Sequence, residues 1–457
     1  MQQQPAKLLF AAVGLQKGSG GIAELSRQVF KTLLEMQRNN EIRLEVHVLD
    51  GEGPEPGDEL FTETNLPTIR WFAGHRWKFA LSLIMTRSDI QLMDHVGLGR
   101  LPGLLPAPLR NPYILLIHSI EIWNNNRPDY HRTAKKAALL IANSNYTAQK
   151  ARSHYPDLPE IKVCHPGKDM AVGAGHARDR ESPVRASLAR EKDRPHGGLP
   201  QDKPVGAGHA RETESPVRAS LAREKDRPHG GLQQDKPVGA GHARDSESPV
   251  RASLARERDR PHGGLQQGLQ QPGPHAILIV GRLSAEQKHK GHDHLLEAMP
   301  EILQSVPDAQ LIIAGEGTDQ KRLEAKAQDL GISNQVIFTG WVNEAQLNTL
   351  YNQCALFAMP SQGDGFGIVF LEAMMHSLPC VGLKNTAAAE IFEHEKSGIL
   401  VDRDDRRDMA NRLSTLLLDE SRRKNLGKAG QKRYQSQFQG QHYAERLQSI
   451  LMEHSAI

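Results

Sequence analysis

Cysteine is scarce in this chain. Three stand in 457 residues, Cys164, Cys354 and Cys380; far apart and without CxxC or histidine spacing, they suggest neither a disulfide framework nor a zinc site. Each lies among apolar residues, as a buried reduced thiol does. Aromatic residues make up 5% and hydrophobic residues 38% of the chain, so some long segment contributes nothing to a core. An excess of one charge is also lacking. With 57 Lys and Arg against 54 Asp and Glu, nothing points to nucleic acid as a partner. No apolar run approaches the ~18–20 residues of a membrane span, and no basic amphipathic helix stands out. The polar start, Met1 to Pro5, lacks the basic and apolar regions of a signal peptide. The expected compartment is the cytoplasm.

The segment poor in core residues is in the middle. VGAGHAR begins at Val172, Val205 and Val238, a period of 33 residues in near-identical copies. From residue 169 to 272 there is no Phe, Tyr, Trp, Ile or Cys. A solenoid of this period needs a stripe of large apolar residues to stack each unit on the next. These units offer Val, Leu and Ala among many charges, Gly and Pro, which bury too little surface to offset chain entropy. Ser182-Pro183 is a fair helix start, but a short helix without a packing face is marginal in water. The segment is therefore expected to be disordered. Its histidines, His176, His209 and His242, are too far apart for a metal site. Without three units about 358 residues remain, a two-domain size, and loop closure costs grow slowly with length.

On either side the pattern is α/β. Leu8–Val13, Leu44–Leu49, Tyr113–Ile117, Ala138–Ala142 and Ile161–Cys164 read as buried strands alternating with helices. Ala276–Val280, Gln310–Ala314, Val336–Thr339, Ala355–Met359 and Pro379–Leu383 repeat the theme. The expected architecture is two Rossmann-like doubly wound domains facing across a cleft. Residues 1–168 are expected to form the first domain, 169–273 the linker, 274–430 the second domain, and 431–457 a helix returning to the first domain. Ligands then sit beyond the carboxyl ends of the strands.

The strongest motif is PSQGDGFGIVFLEAM, Pro360 to Met374. A strand ends, a glycine turn follows and a helix starts near Phe366, a setting whose N–H groups suit a diphosphate. Asp364 and Glu372 stand eight apart, before and along that helix, placed to grip two polyol parts of one ligand. Glu372 sits in an apolar helical stretch, where an unbound carboxylate is costly. A second motif, GRLSAEQKHKG from Gly281, puts Arg282 at a strand end and Lys290 at a helix start. Two such cations neutralise a pyrophosphate leaving group without metal; no DxD pair in a magnesium-holding setting is found, and no cofactor is called for.

These motifs resemble the GT-B glycosyltransferases of family GT4, the retaining group 1 glycosyltransferases. The resemblance covers nearly the whole chain outside the repeat. It implies transfer of a hexose from a nucleotide-sugar donor to a carbohydrate or lipid-linked acceptor. Glu372 is then the ribose carboxylate, Asp364 stands near the transferred sugar, and Arg282 and Lys290 bind the diphosphate. Phe366, Gly367 and Ile368 offer donor amides, and Gly315 and Gly317 line the nucleotide site. GSGGIAE (Gly18 to Glu24) is similar to the family's glycine loop, with Gly20 and Gly21 toward phosphate and acceptor. His118, in LLIHSIEIW, matches the histidine near the reacting centre. DHVGLGR, ANSNYTA and CHPG also resemble family segments.

The chain departs from the family in Asp364 where Glu is usual, in lacking a glycine pair before Glu390, and in its long linker. Taken singly, the residues also have plainer readings: a packing turn for the glycines, a core histidine for His118, a salt bridge for Arg282, a solvated helix start for Lys290. Rival functions are a GT-B epimerase or phosphorylase, and a scaffold that binds donor without turnover. Peripheral attachment at the inner face of a membrane is left open.

Overall fold

The computed structural model describes residues 4–16, 21–62, 65–123, 127–169 and 271–454. The repeat, with the expectation of disorder placed on it, lies outside the described residues, as does Gly20. The rest forms two parallel sheets within one compact unit.

The first sheet has seven strands, β1 (Ala6–Ala12), β2 (Ile42–Val48), β3 (Thr68–Trp71), β4 (Ile90–Met93), β5 (Tyr113–Ile117), β6 (Leu139–Ala142) and β7 (Ile161–Val163). Their order is β3-β2-β1-β4-β5-β6-β7 and every pairing is parallel. Runs such as YILLI in β5, buried at every position, are what a sheet covered on both faces demands. The helices between the strands are α1 (Gly21–Arg38), α2 (Arg76–Met85), α3 (Ile120–Trp123), α4 (Pro128–Lys135) and α5 (Asn145–His154).

The second sheet has six strands, β8 (Ala276–Val280), β9 (Gln310–Ala314), β10 (Val336–Gly340), β11 (Leu356–Ala358), β12 (Cys380–Leu383) and β13 (Ile399–Val401). Their order, β10-β9-β8-β11-β12-β13, is again wholly parallel. Helices α6 (His292–Ser305), α7 (Gln320–Asp329), α8 (Glu344–Gln353), α9 (Ile368–Met375), α10 (Ala388–Ile391), α11 (Arg406–Leu418), α12 (Glu420–Gln437) and α13 (Gly440–His454) complete the unit. Two Rossmann-like halves are present, as the alternation of apolar runs and helical patterns implies. The sequence reading passed over β3, β4 and β13, which are short; β4 also carries Gln91, a polar residue buried because its side chain donates to the Leu83 carbonyl at 2.6 Å. The helix expected from Phe366 begins at Ile368, because Gly367 takes a left-handed conformation with φ of 96° and breaks the turn.

Strand order reverses beside β1 in the first sheet and beside β8 in the second. The loops after β1, β4, β8 and β11 therefore open onto crevices where ligands bind in this architecture. The last helix, α13, belongs to the core of the first half: Tyr443, Leu447, Ile450 and Leu451 are buried with Leu8, Leu33 and Val46. Its apolar face thus ties the end of the chain to the beginning. Among the described residues no helix is long and apolar enough to cross a membrane.

Leu447 is fully buried in that seam. Leu447→Ala is expected to cost about 2–5 kcal/mol, the range for a leucine whose cavity only partly collapses, measured by urea denaturation.

Candidate active site

At the end of β8 the chain runs into Gly281 and Arg282. A Cβ on Gly281 would stand 2.8 Å from Cδ of Lys290, so glycine here lets the lysine stem lie across the strand end. Behind it the turn Gly315–Gly317 presses in so closely that a Cβ on either glycine would overlap the carbonyl oxygen of Gly281 or Leu283. Backbone bonds hold the fit, with Leu283 N–H donating to the Glu316 carbonyl at 2.9 Å and Asp319 N–H to that of Leu283 at 3.0 Å. Arg282 projects from this frame, exposed and in no ion pair among the described residues.

The loop after β11 meets the same place. Lys290 Nζ donates to Oδ1 of Asp364 at 2.9 Å. Burial alone would raise the Asp364 carboxyl; the ammonium beside it holds it below the usual value. Its other oxygen, Oδ2, is buried, and the Ser361 hydroxyl adds to the pull that keeps the carboxyl low. Phe366 turns away from the crevice, its ring 5.7 Å from that of His165 and 5.9 Å from that of Phe438. Its side chain therefore serves packing, and only its backbone faces the loop. Glu372 lies along α9, accepting from the Tyr351 hydroxyl at 3.0 Å, with Lys168 Nζ at 3.6 Å. Burial raises its carboxyl above the ordinary range, against the pull of Lys168.

In the first half Asp94, at the end of β4, organises the equivalent edge. Its carboxylate accepts from Val13 N–H at 2.9 Å and from Ser26 Oγ at 2.6 Å, which ties the end of β1 to α1. Burial pushes its carboxyl up to about 7. His118, after β5, has its Nε2 2.6 Å from the Asp94 carbonyl. That carbonyl can only accept, so Nε2 carries the hydrogen and Nδ1 bears a lone pair. His118 is 5% exposed, and Nδ1 has no partner. Gly21 opens α1 with free space where a side chain would stand.

The two edges meet at Gly365, where a Cβ would overlap the carbonyl oxygen of His118. Its own carbonyl accepts from Ser144 Oγ and, at 3.2 Å, from Thr147 Oγ1. The Tyr146 hydroxyl donates to the Gln362 carbonyl at 2.7 Å. A second clamp is Glu390, which accepts from Asn145 N–H at 2.8 Å and Tyr146 N–H at 2.7 Å and pairs with His165 Nε2 at 2.8 Å. These donors hold the Glu390 carboxyl low although burial opposes them.

The structure thus gathers His118, Asp364 and Lys290 at one junction, with Arg282 and the Gly315–Gly317 turn alongside. Gly367 and Ile368 stand at the start of α9, and Glu372 lies further along it, in contact with Lys168 instead of with the Asp364–Lys290 pair. Sequence reasoning missed Lys168, which also lies 3.3 Å from Glu24 and so links both halves. It missed Asp94 as an organiser, and Glu390 as a clamp. Lys168 had a signal, being the cation that follows CHPG where the first half ends. Among the described residues no group of three or more His, Cys, Asp or Glu is placed to hold a metal ion.

Two doubly wound parallel sheets with site loops meeting at their carboxyl edges define the GT-B class. The crystal structure of Anabaena HepE in complex with UDP-glucose superposes with a TM-score of 0.60 at 18% identity, covering 98% of this chain and 100% of that one. Sucrose-phosphate synthase from Thermosynechococcus elongatus gives 0.61 at 16% identity, covering 98% of each. Such likeness shows the fold. Residues 265–433 match the family described as glycosyl transferases group 1. It is 32% identical over 176 residues to a GDP-mannose-dependent alpha-(1-6)-phosphatidylinositol monomannoside mannosyltransferase of Mycobacterium tuberculosis, 37% of this chain and 46% of that protein. It is likewise 32% identical over 187 residues to a D-inositol 3-phosphate glycosyltransferase of Corynebacterium jeikeium, 39% of this chain and 44% of that protein. The chain spans less than half the length of the curated relatives it matches.

Glu390 gives a pH prediction. A carboxyl held low in the folded state stabilises above its unfolded value of about 4.3 and loses that contribution as pH falls through the folded value. Glu390→Gln is expected to lower stability at pH 7 by about 1–3 kcal/mol, and the gap to wild type should close below pH 4. Urea midpoints of both proteins across that range check it; a gap independent of pH counts against the clamp.

Proposed function

We propose that this chain moves a hexose from a nucleoside-diphosphate sugar to an acceptor hydroxyl, with retention of configuration and without metal. One observation carries the reading. His118 Nδ1 is buried without a hydrogen-bond partner, and Gly365 brings it to the same junction as the Asp364 carboxylate, which is paired with Lys290. A buried polar atom left unpaired is costly, and the hydroxyls of a sugar are partners that both groups can take.

The chemistry follows from the neighbours. Lys290 and exposed Arg282 lie where a diphosphate attached to that sugar would gather negative charge as it leaves. The bond from the anomeric carbon to the diphosphate oxygen breaks, and the acceptor oxygen bonds to that carbon on the same face. The departing oxygen takes the acceptor's proton, which removes the need for a separate base. Asp364 and His118 orient the sugar through its hydroxyls. Glu372 accepts from the ribose hydroxyls once Lys168 yields. The acceptor, a carbohydrate or a lipid-linked sugar, falls to the first half. One of the named relatives is GDP-mannose-dependent, while a fold neighbour was crystallised with UDP-glucose, so both nucleotides belong in the test.

Thermal shift with a panel of GDP- and UDP-sugars in EDTA should give a rise with one donor, abolished in Glu372→Ala. With that donor, Lys290→Ala should lower turnover about 10²–10³-fold. Full turnover in Lys290→Ala would sink the mechanism. A donor shift with no turnover on any acceptor would favour the scaffold reading.

A further inference from the structure

Two partners divide the Glu372 carboxylate between them. Tyr351, on α8, donates its hydroxyl to Oε2 at 3.0 Å. Lys168 Nζ lies 3.6 Å from the other oxygen, Oε1. The partners differ in how firmly they hold. Tyr351 is 1% exposed, and burial pushes its hydroxyl well above the ordinary tyrosine range, so it stays a donor at every working pH. Lys168 also lies 3.3 Å from Glu24 and so shares its charge between two carboxylates. Oε2 is therefore fixed from the core side, and Oε1 is the oxygen whose partner can be exchanged.

The surroundings of Tyr351 fix where its hydroxyl points. Its ring stacks on that of His376, with centroids 5.5 Å apart and planes 14° from parallel, and tilts against Phe357 at 6.1 Å. The His376 ring nitrogens stand 3.0 Å from Asn352 Oδ1 and 3.2 Å from Asn348 Oδ1. Asn348, Tyr351 and Asn352 are three and four apart on α8, while Glu372 and His376 are four apart along α9 and its cap, so each set shares one helix face. The two faces meet in a polar seam inside an otherwise apolar packing. Phenylalanine would fill the space of the Tyr351 ring equally well. The hydroxyl adds one thing, a donor to Glu372.

We infer that Tyr351 is a positioning residue for the nucleotide: acting through Glu372, it holds Oε2 and leaves Oε1 to accept from the ribose hydroxyls. A free glutamate side chain loses several rotamers on binding a ligand; one already tethered by an oxygen has lost them in advance. Lys168 then keeps Oε1 paired until the ribose arrives, and Glu24 remains to take its charge. The inference rests on the donor-site reading, in which Glu372 receives the ribose, and adds the group that aims the carboxylate.

The test is isothermal titration of the full chain with UDP, GDP and their 2′,3′-dideoxy forms, which lack both ribose hydroxyls. The wild type should bind one of the two nucleotides at least about tenfold more tightly than its dideoxy form, the worth of a hydrogen bond to a charged group. In Tyr351→Phe that preference should shrink at least about fivefold, through weaker binding of the ribonucleotide, while the dideoxy form binds as before. Loss of fold is read separately, because a smaller folded fraction lowers the stoichiometry for both ligands and leaves their ratio unchanged. Equal weakening of both ligands assigns Tyr351 to packing and overturns the proposal, as does a preference untouched by the substitution. Wild-type binding without preference for the ribose removes that role from Glu372 and overturns the proposal while the donor site stands. A wild type that binds neither UDP nor GDP overturns the donor-site reading itself, and this inference with it.

Discussion

The site depends on a contact that admits no side chain. Gly365 lies against the carbonyl of His118 so tightly that a Cβ would occupy the oxygen's place. Only at that separation do Ser144 and Thr147 reach the Gly365 carbonyl, and only then do Asp364 and His118, which belong to different halves, share one locality. Lys290 completes the group because Gly281 leaves room for its stem. The glycines of these motifs act mainly as absent volume, allowing backbone and cation to converge where ordinary residues would hold the halves apart.

Convergence of this kind leaves a polar group short of partners. Asp364 is buried with one oxygen on Lys290, and Ser361 is the other side chain that supports its charge. His118 uses Nε2 on the Asp94 carbonyl and leaves Nδ1 bare. A fold optimised for stability alone would fill or remove such an acceptor, since it costs on the order of 1–3 kcal/mol. Asp364 stands beside Lys290 in the loop after β11, at the reversal of strand order in the second sheet, where this architecture binds ligands. Lys168 and Glu372 follow the same logic at lower tension: each satisfies the other until a better partner arrives.

What the sequence disclosed and what it withheld have a common physical cause. Arg282, Lys290, Asp364 and Glu372 were legible because a strand end, a glycine turn and a helix start are local events, and their chemistry is written within a dozen residues. The strands β4 and β13 were not, being short and decided by neighbours far along the chain. The clamp on Glu390 joins groups 225 and 245 residues apart, and no local pattern announces such a pair. Helix α2 was not read from the sequence at all. With Phe79 and Leu83 on one side and Trp77, Leu81 and Met85 on the other, it has no single apolar face to mark it; the structure shows which side the core takes.

The seams between the halves differ in kind, and the difference bears on how a donor enters. Along the site the contacts are polar: Glu390 with Asn145, Tyr146 and His165, Lys168 with Glu24 and Glu372, and hydroxyls with loop carbonyls. Such contacts exchange for water at small net cost, because each broken hydrogen bond is remade with solvent. At the far end the tie is apolar, with Tyr443, Leu447, Ile450 and Leu451 of α13 in the core of the first half; separating those would cost about 25 cal/mol for every Å² exposed. Parting the halves is therefore cheap at the site and dear at α13. Motion that admits a ligand should bend where α12 gives way to α13, around Phe438 to Gly440, with the last helix remaining docked while the site opens.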